Sequence, residues 1–190
     1  MRAPRAAVLV AFLLALGATV AAAGCGSRAA RYAQEARSSY ISARAVLAGL
    51  QEFPSRMEKL LREGDWQELG KKGRAAISDA RDLVSASFAA FRTVGEKCEA
   101  LQAERSRKYE PYAEKVLELV ELNELIISAY TEYLGLCSSA LDGLPYLEDP
   151  RALMPILQAM DAVAARIQEQ FSQLEALEEE AESLYRELTA

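Results

Sequence analysis

From Leu153 to Leu188 the chain brings an apolar side chain round every three or four residues: Leu157, Met160, Ala164, Ile167, Phe171, Leu174, Leu177, Ala181, Leu184. A strand repeats every second residue, so this spacing draws one stripe along a helix. The segment 150–190 would span about 60 Å at 1.5 Å per residue. A helix that long, apolar on one side only, must lie against partners of similar length. That requirement limits the fold more than any other feature of the sequence.

Partners are present. Ala29, Ala33, Ala36, Tyr40, Ala43, Val46, Leu47 and Leu50 form a first stripe, and its alanines leave room for a close neighbour. Pro54 interrupts it, and Ser55-x-x-Glu58 predicts a capped restart through Met57, Leu60 and Leu61; a kinked continuation is the alternative. Asp65-x-x-Glu68 predicts another start near Trp66. The stripe Ile77, Ala80, Val84, Ser87, Phe88, Phe91, Val94, Cys98, Leu101 then runs straight past Gly95. The polar run Gln102 to Lys108 leads to a turn expected around Tyr109 to Pro111. A third long helix, from about Pro111 to Leu141, is apolar over an arc wide enough for more than one neighbour. Gly143 and Pro145 read as a loop, with Asp149 as N-cap and Pro150 at the first helical position of the last helix. The expected fold is all-α, an elongated antiparallel four-helix bundle in one domain, residues 29–190. Kinked helical hairpins with elbows at Pro54 and Pro111 are the alternative.

The first residues belong to a different kind of segment. A basic MRAPR precedes the uncharged, apolar Ala6 to Val20, and small residues lead to Cys25. This is the layout of a secretory signal, too short to span a bilayer comfortably as a helix of about 20 residues would. Ala22-Ala23-Gly24-Cys25 resembles the lipobox of bacterial lipoproteins. The resemblance implies a signal peptide over residues 1–24, cleavage between Gly24 and Cys25, acyl chains on Cys25 and a short tether over residues 25–28. Ala22 stands where that family prefers Leu, and an ordinary cut after Ala23 is the other reading. Lipid on Cys25 would hold the protein at the membrane on the extracytoplasmic side, since each buried methylene adds about 0.8 kcal/mol.

Composition narrows the function. Removing Arg2 and Arg5 with the signal leaves 20 basic against 28 acidic residues, a net charge of −8. Such a domain is poorly suited to gripping nucleic acid. The chain has no His, so the commonest general base and the commonest transition-metal ligand are missing. No phosphate loop, nucleophile elbow or metalloprotease motif occurs.

The remaining candidates are weak. Glu114, Glu118 and Glu121 share a helix face and could offer oxygen ligands to a hard cation, but helically spaced glutamates are ordinarily a solvated surface. The Glu178-Glu179-Glu180 run, with Glu175 and Glu182, reads the same way, and Asn123 reads as a polar spot near the surface. Cys98 and Cys137 fall out of level if the turn is centred near residue 110, which argues against a disulfide. Arg56, Lys59, Arg62, Lys71, Lys72 and Arg74 gather into a positive patch, most simply surface charge. Tyr109, Tyr112, Tyr130 and Tyr133 are either core residues or the lining of a ligand slot. These features favour a non-enzymatic, cofactor-free module, held at a membrane by Cys25, that binds or scaffolds a protein partner. A small-ligand or cation-binding bundle is the alternative, and self-association through the coiled-coil-like last helix is a third expectation.

Overall fold

The computed structural model describes residues 28–62, 66–143 and 150–190. The signal peptide, Cys25, the Asp65 capping box and the Asp149 N-cap lie outside the described residues.

Every regular element among the described residues is helical: α1 (Arg28–Gln51), α2 (Phe53–Arg62), α3 (Trp66–Ala103), α4 (Glu110–Gly143) and α5 (Met154–Thr189). A 3₁₀ turn, Pro150–Leu153, leads into α5. Pro155 sits in the first turn of α5, so the α-helix proper starts one turn later than Pro150 suggests.

Pairs of touching residues fix the topology. Lys97 meets Glu35, Phe91 meets Tyr40 and Leu83 lies beside Gly49, so α3 runs antiparallel to α1. Leu141 lies beside Gly73, and Tyr112 feels the Cys98 thiol, so α4 runs antiparallel to α3. Tyr185 meets Tyr112 and Arg166 meets Glu132, so α5 runs antiparallel to α4. Glu182 and Glu178 then reach back to Arg37 and Arg44 and close the ring onto α1. The fold is an all-α up-down-up-down bundle about 55 Å long, the length of its longest helices at 1.5 Å per residue.

The core follows the stripes. Ala29, Ala33, Ala36 and Ala43 of α1 are buried along α3, as their size allows. The wide arc of α4 serves both neighbours, with Leu119, Ile126, Ile127 and Leu134 almost fully enclosed. Each such side chain stabilises the fold by about 1.5–3 kcal/mol relative to exposure. Of the 36 residues of α5 only Val163, Ile167, Leu174 and Ala181 are buried.

Three local expectations are corrected. Ser55 does not cap a restart: α1 ends at Gln51 and α2 begins at Phe53, with Ser55 already inside it. The Arg56 N–H donates to the Glu52 carbonyl at 3.0 Å, so the two helices form one bent rod with its elbow at Glu52 and Pro54. The turn between α3 and α4 spans 104–109, ahead of Pro111 rather than around it. Leu101 and Gln102 carbonyls accept from Glu104 and Arg105 N–H, and Arg105 takes a left-handed φ of 51°. Pro111 falls instead in the first turn of α4, where its missing N–H is no loss. The level of each α4 residue against α3 shifts accordingly, and Cys98 lies near Tyr112 rather than Asn123.

Candidate functional site

Two features interrupt the apolar interior. The first is a polar centre. Asn123 is not near the surface: it follows Leu119 and precedes Ile126 on the inward line of α4, and it is fully buried. Its amide Nδ2 donates to the Leu119 carbonyl at 2.7 Å and to the Tyr40 hydroxyl at 3.4 Å. Tyr40 in turn donates to Glu178 Oε1 at 2.6 Å, and Arg44 Nε donates to that same oxygen at 2.6 Å. Asn123 Oδ1, Ser87 Oγ and one Arg44 terminal nitrogen are enclosed without a partner in the chain. Burial, followed by the charge of Glu178, pushes the Tyr40 phenol far above its usual range, so it remains a donor. Arg37 pairs with Glu182 through two hydrogen bonds of 3.0 and 3.1 Å. Glu178 and Glu182 therefore belong to the seam between α1 and α5; they are not free surface charge. Glu175 and Glu179 are exposed, and Glu180 pairs with Lys115 at 3.0 Å.

The second feature is a groove. A cleft of roughly 550 Å³ lies between the elbow, α4 and α5. Pro54, Tyr130, Tyr133, Ile167 and Phe171 form its walls and floor. Gln51, Gln168 and Ser172 stand exposed at its mouth, and Ala164 closes one end. Phe53 packs its edge against Tyr133 from behind, with ring centres 6.3 Å apart, which holds that ring in place. Tyr130 is only 4% exposed and lines the cleft, and its hydroxyl makes no hydrogen bond within the chain. Burial raises its pKa to about 12, so the phenol is protonated at neutral pH. Beyond the cleft, Met154 and Leu157 expose 48% and 43% of their surface at the start of α5.

The other sequence candidates are placed as follows. Glu114 and Glu121 are exposed on α4, and Glu118 is paired with Lys115 at 2.6 Å. Among the described residues no three Asp, Glu or Cys side chains are grouped to hold a metal ion. Cys98 and Cys137 carry free, buried thiols, raised by burial to about 12 and about 11. With Cys98 level with Tyr112, roughly 35 Å of helix separates the two cysteines. In the proposed basic patch, Arg56 pairs with Asp79 and Arg74 with Asp142, which neutralises both. Tyr112 is buried against Tyr185, with ring centres 5.4 Å apart.

Tyr130 and Tyr133 are thus the aromatic candidates that the fold brings together at the larger cleft, while Tyr112 lines a smaller one of roughly 200 Å³ with Lys108 and Leu188. Phe171, Ile167 and Gln168 were not singled out from the sequence, because they look like ordinary positions of a stripe. Pro54 was the available signal: an elbow in one helix leaves a gap against any straight neighbour. Among the described residues no helix is long and apolar enough to cross a membrane. No family model matches the chain, and neither characterised proteins nor solved structures yield a match.

Proposed function

We propose that this chain is an extracytoplasmic lipoprotein, held to a membrane through lipid on Cys25, whose bundle is a non-enzymatic binding and scaffolding module. The tether rests on the order of basic, apolar and small residues before Cys25. The binding role rests on one observation: Met154 and Leu157 stand exposed at the start of α5, at the end of the bundle opposite Arg28. A partner would meet that apolar end, away from the tethered one. Large exposed apolar side chains gathered at one place mark contact surfaces more often than scattered ones do.

Two measurements test the reading. Acyl-chain labelling is expected for the wild-type chain and not for Cys25→Ser; label in both refutes the tether. A photo-crosslinker at position 157 should give a discrete adduct in cells, and one at Glu99 on the outer face of α3 should not. Equal patterns from both positions refute the assigned surface. Light scattering on the purified chain separates a foreign partner from a second copy, which would double the mass.

A further inference from the structure

We infer that the groove beside the α1–α2 elbow is a binding site for a small, uncharged ring compound carrying one hydrogen-bonding oxygen, seated on the hydroxyl of Tyr130. The inference does not depend on the lipid tether or on a protein partner.

Three observations carry it. First, the lining contains no acid and no base other than the two phenols, although 26% of the chain is charged. The Arg44 guanidinium, 5.6 Å from the Phe171 ring centre, is already paired with Glu178, so a carboxylate, phosphate or sulfonate placed there would lose water without gaining a free counter-charge, which disfavours anions by desolvation. Second, the Tyr130 side chain is more than nine-tenths buried and lines the cleft, and its hydroxyl, which keeps some accessible surface, makes no hydrogen bond within the chain. In the free protein water alone pairs this hydroxyl, and a ligand oxygen at that point would take the water's place as acceptor or donor. The elevated pKa of this phenol keeps its proton available across neutral pH.

Third, the dimensions select the class. The α5 side of the cleft runs from Ala164 to Ser172, nine residues whose ends are about 12 Å apart along the helix. That length suits one or two fused rings and is short for an extended acyl chain. The cleft volume of roughly 550 Å³ falls within the range of about 300–1,000 Å³ usual for small-molecule sites. Tyr133 and Phe171 supply ring surfaces on two sides, and aromatic contacts favour a flat partner in offset or edge-on geometry. Gln51, Gln168 and Ser172 at the mouth add neutral donors and acceptors that do not demand charge.

The test uses the full chain labelled with 3-fluorotyrosine, titrated with 2-naphthol and, separately, with naphthalene-2-sulfonate, a permanent anion on the same ring system. Fluorine resonances of Tyr130 and Tyr133 are assigned by Tyr130→Phe and Tyr133→Phe. Saturable shifts of both with 2-naphthol are expected, and at least tenfold weaker binding of the sulfonate. In Tyr130→Phe, followed through Tyr133, the affinity should fall roughly fivefold, as loss of one hydrogen bond implies. Ala164→Trp should fill the cleft and abolish the shifts; Ser172→Trp on the exposed rim replaces it where the first variant fails to fold. Absence of saturable shifts, equal binding of the anion, or binding that survives a filled cleft in a folded variant overturns the inference.

Discussion

Replacing Asn123 by Leu should make the protein more stable, which runs against the usual result of altering a fully enclosed residue. Asn123 has one good hydrogen bond, to a carbonyl of its own helix, and one long one, 3.4 Å, to Tyr40. Its Oδ1 has none. An enclosed acceptor without a partner costs about 1–3 kcal/mol, and Leu removes it. Leu has the same branch point and number of side-chain heavy atoms, though its methyl groups are bulkier than the amide ends, so its burial adds favourable transfer energy against some overpacking. The losses are the 2.7 Å bond to the Leu119 carbonyl, which still lies within the helix ladder, and the weak Tyr40 contact, while Tyr40 still donates to Glu178 at 2.6 Å. After these losses the net gain should be about 1 kcal/mol, which in a domain of this size raises Tm by roughly 2–4 °C. Urea titration of the parent, Asn123→Leu and Asn123→Asp provides the assay, with midpoints compared at unchanged m. Asn123→Asp should lose stability, since it would face Glu178 through Tyr40. A Leu variant less stable than the parent by more than about 1 kcal/mol refutes the reasoning, because Oδ1 must then carry a bond.

Further predictions concern the backbone and the titrating groups. A Cβ on Gly95 meets nothing within 4 Å, whereas on Gly73 it comes within 2.8 Å of the buried Leu141. Gly95→Ala should therefore gain about 1 kcal/mol of helix propensity, while overpacking cancels or reverses that gain in Gly73→Ala; equal melting temperatures would contradict this. Arg105 holds a left-handed φ of 51° without being glycine, so Arg105→Gly should raise stability by about 1 kcal/mol in denaturant titration. The Cys98 and Tyr130 pKa values are each raised to about 12 by burial, so their stabilisation is full below the unfolded values and is lost as pH rises toward 12. Cys98→Val should flatten the alkaline loss that begins near pH 9, measured by melting temperature against pH. Glu35 is held low, mainly by its hydrogen bond from Lys97, so that contribution is present above the ordinary carboxylate value and fades on acidification; Lys97→Met should return the Glu35 titration toward 4.5.

The helices were legible because each carries its own record. The stripes from Ala29 to Leu50 and from Ile77 to Leu101 name their buried faces without reference to anything else, whereas the stripe from Leu153 to Leu188 does so only in part, since Leu157 is exposed and Val163, outside the stripe, is buried. What stayed hidden depends on level, meaning which residue of one helix stands opposite which of the next. The turn at 104–109 is set by Arg105 adopting a left-handed backbone, and no Gly or Asn announces that conformation. Pro111, the conspicuous residue, marks the start of the next helix instead. Asn123 and Glu178 were misjudged for the same reason: a polar residue between helices looks like a surface residue until Tyr40 and Arg44 are known to face it. Half of the groove was visible in Tyr130, Tyr133 and Pro54, and the α5 half was not.

The seam between α1 and α5 has a consequence for the order in which the molecule assembles. Along the chain, α1 lies on α3, α3 on α4 and α4 on α5, so apolar closure proceeds by successive hairpins between near neighbours. Contacts across 134 to 145 residues are supplied by side-chain ends instead: Arg37 with Glu182, Arg44 with Glu178. Long loops must therefore be closed only after the hydrophobic work is done, which keeps contact order low and favours rapid folding. The same sequence run backwards makes α5 the first helix to leave. Its departure would expose α4 while α1, α3 and α4 remain packed, so native-state hydrogen exchange should find α5 the least protected of the long helices.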